Sequence, residues 1–387
     1  EDMKWDFNNS KYAKLWDALE GSDLIQTFLD QDMVRMNYGF WATQFAVDPN
    51  ITKRQADGTA TFSSKMRKIA AANVLDMRAP LGETKPIDKE GVEYYTATIP
   101  DFSAPSYVET AAEREYKEEM FNEYFGNDAQ LLLAYADSIQ NMIDSADQTL
   151  NYMSAQLLSK GNISYNIGRG ITGDLYEAKI PANNKVKAGA AVWSDPSTKI
   201  LDQMRKIEED AYDRWGVSMP MKWQIPYQMF REVFLTNQQV IEWVRYTKSI
   251  NNELLPESLT LTQDMALTAI AQFEGLSPIE IIVEKQKDYS GIVHGWEDNI
   301  AVLRPQGYAG LIKHTTIFDQ KMYEKYGSSV IERAFARVGT DGLYTLMNTT
   351  LNNGNLKEWH TDLFVAAVPA LEEFLYHVIV DTASANE

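Results

Sequence analysis

The clearest pattern of apolar and polar positions lies between residues 128 and 160. Apolar side chains recur there every three or four residues, which places them on one side of an α-helix. They are Leu132, Tyr135, Ile139, Met142, Ala146, Leu150, Met153 and Leu157. Asn127 can cap the start of this helix, with Gln130 three residues later, and Gly161 can end it. At ~1.5 Å per residue the helix would be roughly 50 Å long. Such a length is typical of a structural spine.

Three shorter helices are predicted further along the chain, each from its own start signal. They run from Asp195 to Gly216, from near Pro226, and from Thr262 to Gly275. A strand is predicted at Ile279–Glu284, and the region from about residue 301 onward is rich in strand formers, including Phe374–Asp381. The chain therefore mixes helices and strands, and its predicted class is α+β.

The first 110 residues show a different pattern. Residues 1–46 contain many aromatic side chains without a sustained period, so they would need a surface to lie against. Residues 47–110 are rich in turn and strand formers, including Asp57-Gly58 and Val92–Ile99, and predict a long β-excursion. This loop has no apparent core of its own, so we expect a neighbouring molecule to stabilise it. Replacing about residues 58–92 with a short Gly/Ser linker should then leave the domain of the long helix folded, because loop-length changes cost little.

Composition and charge narrow the function classes. The chain has 387 residues and a net charge of −19. It contains no Cys, which excludes disulfides, thiol catalysis and Cys-ligated zinc. Such an acidic protein is not expected to bind nucleic acid over its whole surface, although it can enclose it. The longest apolar stretches are far shorter than the ~20 residues of a membrane span. The charged residues at the start lack the apolar core of an export signal.

One glycine motif and one acidic motif resemble known binding loops, but neither has the required residues around it. Gly168–Gly173 has the spacing of a dinucleotide-binding loop, but a strand and a turn follow it where a helix is required. We therefore predict a hairpin there. Asp48 opens a faint calcium-loop pattern, but Lys53 stands where Gly is needed and Thr59 where Glu is needed.

Other candidate chemistry is equally weak. The four histidines, at 294, 314, 360 and 377, never form an i, i+4 pair. The acidic run from Glu113 to Glu123 is interleaved with Arg114 and Lys117 and reads as a solvated helical face. The sequence therefore predicts no catalytic residue, no cofactor-binding residue and no metal ligand.

Four segments carry a family resemblance, and they occur in the family's order. They are Ile99–Phe102 with Val108–Thr110, Gln148–Ile163, Met221–Asn237, and Asn299–Gly310. Together they resemble the major capsid proteins of tailed bacteriophages, specifically the lambda-type family. In that family they correspond to the re-entry from an extended loop, the end of a spine helix, a strand-then-helix segment, and a strand with a glycine turn.

The resemblance implies a capsid fold of the Hong Kong 97 phage type. Its expected parts are an N-terminal arm at 1–46, an extended β-loop at 47–110, a peripheral domain with the spine helix at 111–190, an axial domain at 191–304, and a return to the peripheral domain at 305–387. The implied function is self-assembly through pentamers and hexamers into an icosahedral shell around double-stranded DNA. The implied partners are further copies of the chain, with scaffold, decoration and portal proteins, and the implied location is the virion, assembled in the host cytoplasm.

Two other classes stay open. One is a different virion structural protein, such as a portal or tail component, which would form rings of about a dozen copies. The other is an enzyme whose residues converge only in three dimensions, which a perturbed carboxylate or histidine in a deep pocket would support.

Overall fold

The computed structural model describes residues 39–67, 92–104, 107–109, 128–167, 171–216, 219–250, 261–284, 286–288, 291–293, 295–317, 331–338, 342–353 and 356–385. The chain divides into two compact units. The first unit comprises Glu1–Phe62, Thr98–Asn151 and Ile312–Pro369, and the second comprises Ser63–Ala97, Tyr152–Leu311 and Ala370–Glu387.

Helices and strands both contribute to the described chain, which confirms the predicted α+β class. The helices are α1 (Phe40–Gln44), α2 (Asp128–Lys160), α3 (Ile200–Trp215), α4 (Tyr227–Glu232), α5 (Gln238–Ile250) and α6 (Gln263–Ile270). The strands are β1 (Phe45–Val47), β2 (Thr61–Arg67), β3 (Val92–Thr98), β4 (Phe102–Ser103), β5 (Tyr107–Glu109), β6 (Asn162–Ile167), β7 (Ile171–Glu177), β8 (Lys185–Ala188), β9 (Met221–Pro226), β10 (Ile279–Ile282), β11 (Gln286–Asp288), β12 (Gly291–Val293), β13 (Ile300–Pro305), β14 (Gly310–His314), β15 (Ile331–Val338), β16 (Tyr344–Asn353), β17 (Leu356–Val365), β18 (Ala367–Leu371) and β19 (Val378–Ala385).

The predicted spine helix is confirmed at its predicted bounds, because α2 spans Asp128–Lys160. From Ile139 onward, the apolar side chains of the predicted stripe are all buried. The helix ends at Gly161, which has a φ of +80° and donates its N–H to the carbonyl of Leu157 at 3.0 Å. A left-handed backbone strains most side chains, so glycine is the residue that ends a helix in this way. The cap predicted at Asn127 lies outside the described residues.

A five-stranded sheet in the order β10-β9-β13-β19-β8 organises the second unit. Its two outer pairs, β10 with β9 and β19 with β8, are parallel, and the pairs between them are antiparallel. One face carries the apolar core, where Trp223 and Leu303 of paired strands pack with residues of α3, α5 and α6. The opposite face carries Lys222, Gln224 and Arg304, because side chains alternate along a strand.

Two predicted helix boundaries are corrected. Helix α3 begins at Ile200 and not at Asp195. The Asp195 carboxylate instead accepts hydrogen bonds from the backbone N–H and the hydroxyl of Ser197, at 2.9 and 2.8 Å, and closes a local turn. The end at Gly216, with a φ of +64°, is confirmed. Helix α6 begins after its predicted cap Thr262 but already ends at Ile270.

The C-terminal strand also starts later than predicted. Phe374–Tyr376 form one turn of 3₁₀ helix, and β19 runs over Val378–Ala385. All three residues of the turn are buried, and the carbonyl of Leu375 accepts a hydrogen bond from the side chain of Asn184 at 2.8 Å. A short apolar run does not distinguish a buried turn from a buried strand, which explains the error.

The first unit contains a second five-stranded arrangement. Strands β15, β16, β17 and β4 follow one another as antiparallel neighbours, and β5 also pairs with β17. The strand-rich character predicted for the C-terminal part is therefore confirmed. Strands β1, β14 and β18 form a three-stranded sheet.

The base of the extended loop differs from the expectation. Strands β2 and β3 pair with each other, as predicted for a β-excursion, but one face of the pair is buried in the protein's own core. Within the second unit, Ser64 and Tyr95 both donate hydroxyl hydrogen bonds to the carbonyl of Leu371, at 3.1 and 2.8 Å. The Tyr95 ring stacks on Tyr176 at 5.7 Å and meets Phe374 edge-on at 5.4 Å. The expectation that the loop lacks a core of its own is wrong for this base.

This burial changes the expected effect of shortening the loop. Replacing only residues 68–91 with a short Gly/Ser linker should keep the melting temperature close to that of the full chain, because the buried part of β2 and β3 is kept and loop length costs little. Replacing residues 58–92 should lower it strongly, because Ser64 and the rest of β2 are lost. Circular dichroism melting of both variants checks this. Equal stability of the two variants would contradict the role of the base.

Candidate functional site

The most enclosed charged group described in the second unit is Arg304 of β13, whose side chain is 0% exposed. Its Nε donates to Oε1 of Gln224 at 3.1 Å, and its terminal nitrogens donate to the carbonyls of Pro305 and Gly307 at 2.9 and 3.0 Å. Nη1 also lies 3.3 Å from Oε2 of Glu373. The guanidinium therefore joins β9, the turn after β13 and the segment before the 3₁₀ turn.

Two more charges lie near Arg304 on the same face of the sheet. Lys222 of β9 lies 2.7 Å from Oε2 of Glu280 on β10, and this oxygen also accepts the amide N–H of Gln224 at 2.9 Å. Gln224 thus stands between Glu280 and Arg304. The formal charges of Arg304, Lys222, Glu280 and Glu373 sum to zero. Such a network is satisfied internally, as buried charges require.

Burial shifts the proton equilibria of this cluster. It raises the pKa of Glu373 to about 7, although the neighbouring cations Arg304 and Lys222 act in the opposite direction. Burial also lowers the pKa of Arg304, against the attraction of Glu373 and Glu280. A carboxyl group with a pKa near neutrality is chemically competent for proton transfer. Here, however, its geometry is that of an ion-pair partner.

A second buried carboxyl group in this unit is Glu208 of α3. Its Oε1 accepts hydrogen bonds from Nε1 of Trp223 at 2.5 Å and from the backbone N–H of Ser277 at 2.9 Å. Its Oε2 accepts the Ser277 hydroxyl at 2.8 Å. Burial raises its pKa, while these hydrogen bonds act to lower it. Both oxygens are engaged, so Glu208 connects α3, β9 and the entry to β10.

In the first unit, α2 holds the start of the described chain through two polar side chains. Asp147 accepts the indole N–H of Trp41 at 2.9 Å and the hydroxyl of Tyr344. Asn151, one turn later, accepts the backbone N–H of Trp41 at 2.8 Å. Burial raises the pKa of Asp147. A side chain at Gly39 would collide with Asn151, which explains the small residue at this position.

Arg54 fastens both legs of the extended loop within the first unit. Its guanidinium donates to the carbonyl of Gly58 at 2.7 Å, to the carbonyl of Thr316 and to the carboxylate of Asp101. Gly58 precedes the strand β2 and Asp101 follows the strand β3, the two legs of the loop. The Arg54 side chain is only 4% exposed, so these bonds are largely shielded from water. Arg54 is therefore a structural clamp at the loop base.

The residues discounted in the sequence are mostly engaged in structural contacts. The Asp48 carboxylate lies 2.7 Å from Nζ of Lys313 and accepts the backbone N–H of Asn50 at 2.9 Å. Burial acts to raise the pKa of Asp48, but Lys313 and Asn50 outweigh it and the net shift is downward. The first residue of the weak calcium-loop pattern, Asp48, is therefore paired with Lys313.

The histidines remain apart. Nε2 of His314 lies 2.8 Å from the carbonyl of Asp48, and Nε2 of His377 lies 2.7 Å from the carbonyl of Leu158. Burial lowers the pKa of His377 to about 4, so this ring is neutral at neutral pH. His294 and the side chain of His360 lie outside the described residues, as does the acidic run from 113 to 123.

The glycine motif belongs to a hairpin, as predicted. Strands β6 and β7 pair antiparallel, with Ile167 opposite Ile171, and residues 168–170 between them lie outside the described chain. No helix follows the motif, since β7 continues to Glu177.

Sequence reasoning did not identify Arg304, Arg54 or Asp147. The sequence does indicate that Arg304 is unusual, because it is the one charged residue in the apolar strand Ile300–Pro305. A charge in such a run needs a buried partner. The identity of that partner, Glu373, depends on the pairing of β13 with β19 and was not accessible from spacing.

Across the described part of the chain, no three His, Asp or Glu side chains are grouped so as to hold a metal ion. None of the helices in those residues is long and apolar enough to cross a membrane. The described clusters instead consist of paired charges and hydrogen bonds that join segments of the fold.

Comparison with known proteins gives structural likeness alone. No family model matches the sequence, and no curated protein matches it. Among solved structures, a phage-related protein from Bordetella bronchiseptica RB50 is similar, with 14% identity, a TM-score of 0.47, and coverage of 90% of this chain and 93% of that one. The mature capsid of bacteriophage PhiM1 is similar at 11% identity and a TM-score of 0.42, covering 90% and 88%. The capsid of Ralstonia phage GP4 is similar at 10% identity and a TM-score of 0.42, covering 91% and 93%. At this level the likeness assigns no activity or partner to the chain.

The raised pKa of Glu373 predicts a pH-dependent stability. A carboxyl group whose pKa is 4.5 when unfolded and about 7 when folded stabilises the fold in its protonated form, and this contribution is lost as pH rises from about 4.5 to about 7. The variant Glu373→Gln lacks this titration. The melting temperature of the natural chain, relative to that of Glu373→Gln, should therefore fall over this range and level off above it.

Differential scanning calorimetry of both chains at several pH values makes the measurement. The difference between the two melting temperatures is used because the contributions of His377 and the other titrating groups are common to both chains and cancel. A difference that grows with pH would show that attraction to Arg304 outweighs burial and would contradict this account.

Proposed function

We propose that this chain is the major capsid protein of a tailed bacteriophage. In this proposal, copies of the chain assemble through pentamers and hexamers into an icosahedral shell that encloses double-stranded DNA. The arm is residues 1–46, the extended loop 47–110, the peripheral domain 111–190 with the return at 305–387, and the axial domain 191–304.

One observation carries the proposal: the elements lie along the chain in the order that the sequence resemblance implies. A β-loop with paired legs comes first, then the long helix α2 ending at Gly161, then a hairpin. The segment Met221–Asn237 is a strand followed by a helix, and Asn299–Gly310 contains a strand followed by a turn at Gly307 with a φ of +104°. The ordered set of segments is more specific than any single one.

The way the loop is fastened supports a role in assembly. Arg54 and the hydrogen bond from the N–H of Ile99 to the carbonyl of Ala60, at 2.8 Å, hold the two legs together at the base. One face of the legs is buried, whereas Tyr94 on the other face is 57% exposed. A firmly held base allows the rest of the loop to be presented at a defined position.

The charge of −19 is compatible with a shell around DNA. A strongly acidic protein repels the phosphate backbone, so it would enclose a genome without binding it tightly. The proposal therefore includes no sequence-specific DNA contact. It includes scaffold, decoration and portal proteins as partners, the virion as the location and the host cytoplasm as the place of assembly.

The proposal assigns no catalytic step to the chain. The carboxyl groups with raised pKa values, such as Glu208 and Glu373, use their oxygens to hold neighbouring segments. An enzyme site would instead leave such a group directed at a substrate cavity.

Assembly is the first expectation. The purified or co-expressed chain should form pentamers, hexamers or closed particles, because shell proteins bury part of their apolar surface only between copies. Light scattering and negative-stain microscopy measure this. Rings of about a dozen copies would favour a portal. A well-folded monomer at every concentration and salt level, even with scaffold proteins present, would contradict the proposal.

The second expectation concerns the bonds that hold mature particles. The chain has no Cys, and no residue of it can be assigned to a covalent cross-link, so we expect non-covalent contacts alone. Denaturing gel electrophoresis of particles should give one band near 44.0 kDa. A ladder of multimers that survives boiling in detergent would show that this expectation is wrong.

A further inference from the structure

The five-stranded sheet of the second unit ends in two different short strands. In the order β10-β9-β13-β19-β8, each of the outer strands β10 and β8 has one neighbour among the described strands. Strand β10 reads Ile-Glu-Ile-Ile and is followed by Val283, which is 62% exposed. An apolar edge strand offers unpaired backbone groups to another chain, and proteins normally cover or blunt such an edge.

The two edges have compatible directions. Strand β10 is parallel to β9, and β8 is parallel to β19. Since β9 and β19 are both antiparallel to β13, all four run the same way. The β10 edge of one copy can therefore meet the β8 edge of another as a parallel pair, without either copy turning over.

The two edges also match face by face. Val186 and Ala188 of β8 belong to the apolar core face of the sheet, and so do Ile279 and Ile281 of β10. On the other face, the exposed Lys187 of one copy would come beside Glu280 of the next, whose own neighbour is Lys222. Joining the two edges therefore continues the apolar face of the sheet from one copy to the next. On the opposite face it places Lys187 of one copy and Lys222 of the other on either side of Glu280.

Pairing of β10 with β10, or of β8 with β8, would not bring opposite charges together. Two β10 strands would bring Glu280 of each copy together, and two β8 strands would bring lysines together. Like charges on adjacent strands are destabilising. Charge complementarity therefore selects the unlike pair, and a contact between unlike patches generates rings when its rotation closes.

We infer that the β10 edge of one copy pairs with the β8 edge of a second copy, so that the sheet of the second unit continues from subunit to subunit around a ring. This inference rests on the proposed self-assembly and assigns two strands to its interface. The partner is a second copy of this chain.

The absence of Cys makes a direct test simple, because any disulfide then comes from introduced residues. One chain carries Lys187→Cys with Glu280→Cys, and a second carries Lys185→Cys with Glu280→Cys, so that two registers are covered. Neighbouring strands lie ~4.8 Å apart, which suits the ~4.4–6.8 Å between Cα atoms of a disulfide. The matched control is Lys206→Cys with Glu280→Cys, since Lys206 is exposed on α3.

Mild oxidation of assembled protein should shift the gel band from single chains to dimers and higher multimers in one of the two test chains, and reductant should reverse it. The control should stay a single band. Particles that form but give no disulfide in either register, or equal cross-linking in the control, would overturn the inference while leaving the proposed function standing. A natural chain that never assembles would overturn both.

A charge variant provides a second measurement that keeps Glu280 intact. Lys187→Glu places a like charge beside Glu280, so the protein concentration needed for assembly should rise by roughly two- to tenfold. Lys206→Glu changes the net charge equally and should leave that concentration almost unchanged. Lys206 is exposed on α3, so its variant should keep the melting temperature of the natural chain, whereas Lys187 also lies opposite Asp381 of β19, so Lys187→Glu should lower it slightly. Assembly is therefore compared at a temperature at which both variants are fully folded. Equal effects of the two variants on assembly would contradict the pairing.

Discussion

The arrangement of the second unit depends on the contacts of one buried group, the guanidinium of Arg304. A charge with no solvent access needs several partners, and those of Arg304 include Gln224, Pro305, Gly307 and Glu373. These partners come from separate parts of the chain, so satisfying one charge fixes β9, β13, the turn after it and the segment leading to β19. Removing one partner of such a buried pair typically costs ~3–5 kcal/mol, because the remaining charge stays buried. Replacing both partners with apolar residues need not cost as much, so the cluster specifies an arrangement more than it adds stability.

The consequences extend to the edges of the sheet. With β9, β13 and β19 held in register, Lys222, Gln224 and Glu280 line one face and the aromatic core lines the other. The outer strands β10 and β8 then present complementary edges. In the first unit, Arg54 and Asp147 act on the same principle, since each is buried and joins segments far apart in sequence. In the proposed shell, where each subunit repeats the same contacts, such fixed positions would be an advantage.

The sequence predicted those elements whose signals are local. The period of apolar residues and the glycine at 161 located α2, and the cap Thr262 located the start of α6. Where several local structures satisfy one signal, prediction was wrong: Asp195 closes a turn, and Phe374–Tyr376 form a 3₁₀ turn. The buried base of β2 and β3 was missed because Tyr95 meets Leu371 and Tyr176, contacts between residues far apart along the chain. The partners of Arg304 were hidden for the same reason.

The central claim is that this chain builds a closed shell from rings of its own copies. Cryo-electron microscopy of particles assembled from the purified chain, reconstructed without imposed symmetry, tests it most directly. The account predicts a closed shell with subunits in rings of five and six, in which the long helix α2 of each copy is recognisable. Rings of about a dozen copies, open tubes of another fold, or a chain that remains monomeric would contradict it.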